Sequence, residues 1–308
     1  MPVTDAVKMV SLTFRRTVPG HGFRAVLEGG RLARMSARET EAEQERLLLG
    51  GMARWSGVDL FGPNYASSAE RRDDKIYVWI DPFNLWRPKG LLGRISEWPI
   101  VRSILFWFRF LLVLAGSIRA LVFFFATMAV IWLLVSLAES ATESVGGPLG
   151  AVLAFFATFP ILPVLLPFFA AMKFTPIGRY HGAEHKAVAA YEKYGEVTLE
   201  GAKSMSRLHP RCGTNILIYI ILAGLADPFI DWAPYAVLQF ILISEAWFIF
   251  GKTRVSIAIG NFLQKYLTTS EPGRKELEVA VESLKELLRA EGGERSADKE
   301  PVLIPARY

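Results

Sequence analysis

The chain has 308 residues, of which 52% are hydrophobic and 21% charged, and its mean hydropathy is +0.28. Such a composition excludes intrinsic disorder and a fibrous repeat, and a single cysteine excludes a disulfide framework. A net charge of +5 would suggest nucleic acid in a soluble protein. Here the apolar residues crowd into 104–138, 148–174 and 213–250, so a membrane accounts for the basic balance and no nucleic-acid partner is expected.

In chain order, residues 8–17 and 23–28 read as short strands around a Pro19-Gly20 turn, and Ser36 with Glu39 forms a capping box that opens a helix toward Leu49. Residues 75–80 (KIYVWI) have strand composition. A small cytosolic α+β region over 1–95 follows, ahead of a membrane domain over 96–270. Residues 100–119 are apolar but carry Arg102, Arg109 and Arg119. They are expected to form an amphipathic or partly inserted helix, with a fifth span as the alternative.

Four spans are expected. Residues 120–138 supply 19 positions without a charge, close to the roughly 20 that a bilayer core requires. Residues 148–172 form a second span, kinked by Pro160, Pro163 and Pro167. A short third runs from about 214 to 226. A fourth covers 233–250 and is interrupted by Glu245, which must face protein or water. Connections 139–147 and 227–234 contain no lysine or arginine, whereas 173–211 holds seven. The positive-inside rule therefore places both termini and the central loop, 173–213, in the cytoplasm of a multi-pass inner (plasma) membrane protein. The first twenty residues lack the apolar core of a cleavable signal. Residues 271–290 repeat apolar positions at Leu277, Ala280, Val281, Leu284 and Leu288, an amphipathic cytosolic helix that docks on the domain or lies on anionic lipid. Residues 291–308 read as a flexible tail.

The chemistry lies in the central loop. Of four histidines in the chain, His181, His185 and His209 fall within a 29-residue window that ends near Cys212. In a helix His181 and His185 stand one turn apart on one face, so both can grip one ion. Glu184 completes an H-x-x-E-H string, in which the carboxylate serves as general base. His209 and Cys212, three positions apart, offer borderline-soft donors that suit a divalent metal such as zinc. The preferred ligand set is His181, His185 and His209, with Cys212 an optional fourth. Four ligands close a structural site and three leave a position open. Arg179, Arg207 and Arg211 are candidates for binding an anionic substrate, against the alternative of lipid headgroup or positive-inside residues.

Residues 180–186 (YHGAEHK) and 206–214 (SRLHPRCGT) resemble the signature of the YqhQ-like membrane proteins, a family with domain of unknown function 1385. Residues 267–272 (LTTSEP) continue the likeness, which covers roughly 95–285, although the family usually carries arginine where Ser270 stands. The family's N-terminal string survives only as residues 25–30 (AVLEGG). The resemblance implies a polytopic α-helical membrane protein and a metal-dependent enzyme, with no substrate attached. Three functions remain open. One is a hydrolase that acts on a membrane lipid or membrane-protein substrate. Another is a metal-stabilised scaffold or assembly factor, and the last is a transporter with Glu245, Arg109 and Arg119 along a polar path.

Overall fold

The computed structural model describes residues 50–83, 90–115, 145–159, 161–230, 235–294 and 298–307, together with scattered positions between 122 and 140. The expected elements before Leu49, and most of the expected span at 120–138, lie outside the described residues; the scattered positions in that span are helical.

The described chain is mainly helical, with one five-stranded antiparallel sheet in the order β1-β2-β3-β4-β5. The strands are β1 (Gly50–Ala53), β2 (Gly57–Phe61), β3 (Tyr65–Arg72), β4 (Lys75–Pro82) and β5 (Asp298–Pro305). Period-two alternation orients the sheet. Val58, Ala69 and Val78 stand opposite one another on the inward face, with Leu60, Ser67 and Ile80 forming the next row. The expected strand at 75–80 is β4.

Besides the helical positions between 122 and 140, ten α-helices accompany the sheet among the described residues. They are α1 (Gly90–Ser96), α2 (Val101–Ala115), α3 (Gly147–Thr158), α4 (Ile161–Phe174), α5 (Pro176–Tyr194), α6 (Leu199–Lys203), α7 (Leu217–Ala226), α8 (Tyr235–Phe250), α9 (Arg254–Leu263) and α10 (Arg274–Glu291). Between α9 and α10 a π-turn covers Gln264–Thr268.

The amphipathic helix expected at 271–290 is α10, and it docks on the sheet. Leu277, Ala280, Val281, Leu284 and Leu287 are buried with the inward face, each larger side chain contributing roughly 1.5–3 kcal/mol. Small residues on β3 allow the close approach, and Ser67 Oγ meets Ser283 Oγ at 2.8 Å. Glu291 accepts from the backbone N–H groups of Asn64 and Tyr65, so the end of α10 fastens the β2–β3 turn. Helices α5 and α6 also pack on α10, and Val279, Glu278 and Glu286 are buried as well, Glu278 against Arg71 of β3 and the Arg307 N–H that follows β5.

Two expectations need correction. Residues 291–308 are not a flexible tail: 298–305 form β5, paired with β4 through Ile76↔Ile304 and Val78↔Val302. Eight residues are too short to reveal a strand when the partner edge lies more than 200 positions away. The α+β region likewise does not end near residue 95, because the sheet takes α10 and β5 from the C-terminal part.

No single helix among the described residues is long and apolar enough to cross a membrane. The expected second span is broken into α3 and α4, bent by 87°, and the pair passes that test together. Pro163 falls in the first turn of α4, where a missing backbone donor breaks no helical hydrogen bond. Expected spans three and four correspond to α7 and α8, both short. Glu245 on α8 has an internal role. Its carboxylate accepts from Ile100 N–H at 3.0 Å and Ser103 Oγ–H at 2.6 Å and pairs with Arg102, so it caps the start of α2.

A buried histidine and thiol cluster

Helix α5 forms where its sequence supplies both ends. Thr175 caps the N-terminus by accepting from Ile177 N–H, Pro176 occupies the first turn, and Gly195 ends the helix at φ 74°. His181 and His185 project from one face, ring centroids 4.5 Å apart. Gly182 admits the chain at Ser270 against that helix, since a Cβ at 182 would stand 2.3 Å from the Ser270 carbonyl oxygen.

That approach determines the chemistry of the first histidine. His181 Nδ1 lies 2.8 Å from the Thr268 carbonyl at the end of the π-turn. His185 Nδ1 lies 2.6 Å from the Arg207 carbonyl. A carbonyl only accepts, so both Nδ1 atoms carry the proton and both Nε2 atoms keep a free lone pair. Cys212 Sγ stands 3.4 Å from His181 Nε2. One ligand atom each from His181, His185 and Cys212 lie within 4.8 Å of one another, and all three residues are buried. Metal–nitrogen bonds of about 2.0–2.1 Å and metal–sulfur bonds of about 2.3 Å imply a separation of roughly 3.6 Å in a tetrahedral site. The His181–Cys212 pair stands at that spacing, and the two carbonyl acceptors are of the kind that orient imidazoles in metal sites.

His209 is not part of the cluster. Its Nδ1 accepts from Arg211 N–H at 3.3 Å and its Nε2 donates to Glu192 at 3.2 Å, so neither nitrogen has a free lone pair. Its ring sits 5.6 Å from that of His185. Cys212, expected as an optional fourth ligand, supplies the third donor atom of the cluster.

Burial dominates the electrostatics. It lowers the His181 pKa and takes that of His185 well below the usual imidazole value, keeping both rings neutral. Burial also pushes the Cys212 thiol up to about 12, with the Glu184 charge adding to the effect. The Glu184 carboxyl rises to about 8 for the same reason, and its Oε2 is buried without a hydrogen-bond partner. Glu184 packs against Gly51 of β1, where a Cβ would come within 2.3 Å of Oε1. At Glu192 burial opposes the charge, yet hydrogen bonds from His209 and Arg211 outweigh it and hold that carboxyl below its usual range.

The three arginines are engaged within the protein. Arg179 Nε pairs with Glu276 at 3.1 Å, Arg211 with Glu192, and Arg207 Nη1 with Glu271 at 3.0 Å.

Sequence patterns did not reveal Gln264. This fully buried residue opens the π-turn, and its amide takes both main-chain groups of His209: Oε1 accepts from His209 N–H at 2.8 Å and Nε2 donates to His209 O at 3.0 Å. It therefore fixes the segment that carries the Arg207 carbonyl and Cys212, while the same π-turn supplies the Thr268 carbonyl. A lone glutamine in an apolar run carries no spacing signal. Gln264→Leu is expected to weaken metal affinity about 10–100-fold, as losses of outer-shell contacts do. Competition with a chromophoric chelator measures this.

Fold and site together define a helical protein with an antiparallel sheet, built around a buried two-histidine, one-thiol cluster with an adjacent protonatable carboxyl. Residues 102–249, which include all of these site groups, match the family described as "Protein of unknown function (DUF1385)". In an alignment of 151 positions that covers 42% of this chain, the chain is 33% identical to "Uncharacterized protein YqhQ" of Bacillus subtilis (strain 168). The match spans 47% of that relative, about half its length. The two similarities support a YqhQ-like relationship. No solved structure matches the chain.

Proposed function

We propose that the chain is a membrane enzyme whose His181, His185 and Cys212 hold one divalent metal ion of the zinc type, with Glu184 as the proton-transfer group of a hydrolytic reaction. The observation that carries this reading is the pair of Nδ1–H donations to backbone carbonyls, which leave both Nε2 lone pairs free in a cluster where His181 Nε2 lies 3.4 Å from the Cys212 thiol. One thiol and two imidazoles suit zinc over magnesium or calcium, and three protein ligands are the count of an open, catalytic site. A metal held there supplies Lewis acidity.

Glu184 supplies the rest. Its unpartnered Oε2 is free to take a proton from water and return it to the leaving group. A carboxyl at about 8 exchanges protons near neutrality; a neighbouring cation would favour its ionised form. Gly51 leaves just enough room for this carboxyl against β1.

The membrane reading draws on exposed apolar side chains on several helices, among them Leu149, Phe155, Leu166, Phe240 and Ile249, too many for a water-facing surface. With the basic segment 173–211 cytoplasmic, the substrates are membrane lipids or membrane proteins at the inner face of the plasma membrane. Deep burial of all three ligand residues favours a second reading, a scaffold in which the metal ties α5 to the start of α7. Glu184→Gln separates the two. In the enzyme it retains the ion by elemental analysis and fails to complement a deletion strain. Full complementation by Glu184→Gln, with His181→Ala failing, removes the hydrolytic reading.

A further inference from the structure

A second charged site adjoins the cluster. Lys186, the residue after His185, and Arg207, whose carbonyl receives the His185 proton, converge on one carboxylate. Lys186 Nζ reaches Glu271 Oε1 at 2.5 Å and Arg207 Nη1 reaches Oε2 at 3.0 Å. The exposures are lopsided: the side chains of Lys186 and Arg207 are 8% and 22% exposed, and that of Glu271 is 60% exposed. The cations are thus fixed in the protein and the anion lies on the outside.

Both cations have other supports. Arg207 Nε donates to Thr269 Oγ1 at 3.2 Å and Nη2 to the Lys265 carbonyl at 3.1 Å, which hold the guanidinium plane without Glu271. Lys186 Nζ also reaches the Lys203 carbonyl at 3.4 Å. A third cation lies close: Lys173 Nζ donates to the same Lys265 carbonyl at 3.0 Å, and to Thr269 O. Two positive charges thus meet one carboxylate, with Lys173 beside Arg207 as a further cation, an arrangement that a doubly charged anion matches better. Burying a lysine and an arginine is costly unless an anion completes them.

We propose that Lys186 and Arg207, with Lys173 behind them, form a binding site for the phosphate group of a substrate, and that Glu271 occupies this site as an internal stand-in. Glu271 gives one oxygen to each cation, as two oxygens of a phosphate would, and it leaves when the phosphate arrives. Lys186 follows His185 in the chain and the Arg207 carbonyl accepts from His185 Nδ1–H, so the site is built on the same two segments as the cluster. The proposal goes beyond the metal reading and does not require it, because the three cations are in place without an ion.

The test is binding of inorganic phosphate to the detergent-purified full chain by calorimetry. Removing the competing carboxylate in Glu271→Gln is expected to tighten binding at least about tenfold over wild type, since juxtaposed like charges cost several kcal/mol and 1.4 kcal/mol is tenfold. Glu294→Gln, an equal change of charge at an exposed position, should leave affinity within about twofold. Adding Lys186→Met to Glu271→Gln should cancel the gain, and the gain should persist in a Cys212→Ser background, which separates this site from the metal. Vesicles containing phosphatidic acid that displace phosphate, where phosphatidylcholine vesicles do not, identify a headgroup as the source; failure of both to displace it identifies a soluble phosphoester. No gain in Glu271→Gln, or an equal gain in Glu294→Gln, overturns the proposal.

Discussion

Cys212→Ser is expected to lower metal affinity by roughly 100-fold or more, while His209→Ala leaves it within about threefold. Structural zinc sites are worth about 10–16 kcal/mol over their ligands, so one ligand carries roughly 3 kcal/mol, a factor above 100. A serine hydroxyl in that buried position does not replace thiolate. Metal binding must deprotonate a thiol that burial holds near 12, so the apparent affinity of the wild type should rise steeply with pH and that of Cys212→Ser less so. His209, with its Nδ1 accepting from Arg211 and its Nε2 donating to Glu192, offers no lone pair to lose. Chelator competition and elemental analysis on both variants decide the matter. Loss of the ion from His209→Ala with retention in Cys212→Ser would restore the three-histidine site expected from sequence.

A chain ending at residue 294 is expected to melt well below the full-length protein and to associate. Without β5, β4 loses the pairing that runs from Lys75↔Pro305 to Val78↔Val302. At about 0.5–1.5 kcal/mol net per hydrogen bond, several lost bonds amount to roughly 3–5 kcal/mol. Two more contacts go with it: Ala306 N–H to Asp74 O, and Arg307 N–H to Glu278 Oε1, each at 2.8 Å. The second leaves Glu278, which is 5% exposed, with Arg71 at 3.5 Å as its ion-pair partner. The bared β4 edge becomes a template for pairing between copies. Thermal denaturation and size-exclusion chromatography measure both effects. An unchanged melting temperature in a monodisperse sample would show that β5 contributes nothing.

Much of the helical organisation was legible in the residues. The apolar runs at 148–172, 214–226 and 233–250 coincide with helices α3, α4, α7 and α8, and the 3.6-residue spacing at 271–290 with α10. The pairing of His181 with His185 was legible for the same reason, since the two lie four positions apart on one helix. Burial of Glu278 was not, because the pattern of Leu277, Ala280, Val281 and Leu284 describes one apolar stripe, while Arg71 of β3 and the Arg307 N–H close over Glu278 by tertiary packing.

By itself the sequence determined what short-range periodicity and spacing can encode: where the apolar and amphipathic helices α3, α4, α7, α8 and α10 run, that β4 is a strand, and that two imidazoles share a face. Tertiary structure alone decided that Cys212 and not His209 meets them, that Gln264 and the Thr268 carbonyl hold the arrangement, and that β5 closes the sheet. The physical reason is the direction of lone pairs and hydrogen bonds. Which nitrogen of a histidine is free depends on a backbone carbonyl 22 or 87 positions away along the chain, and no local pattern carries that information.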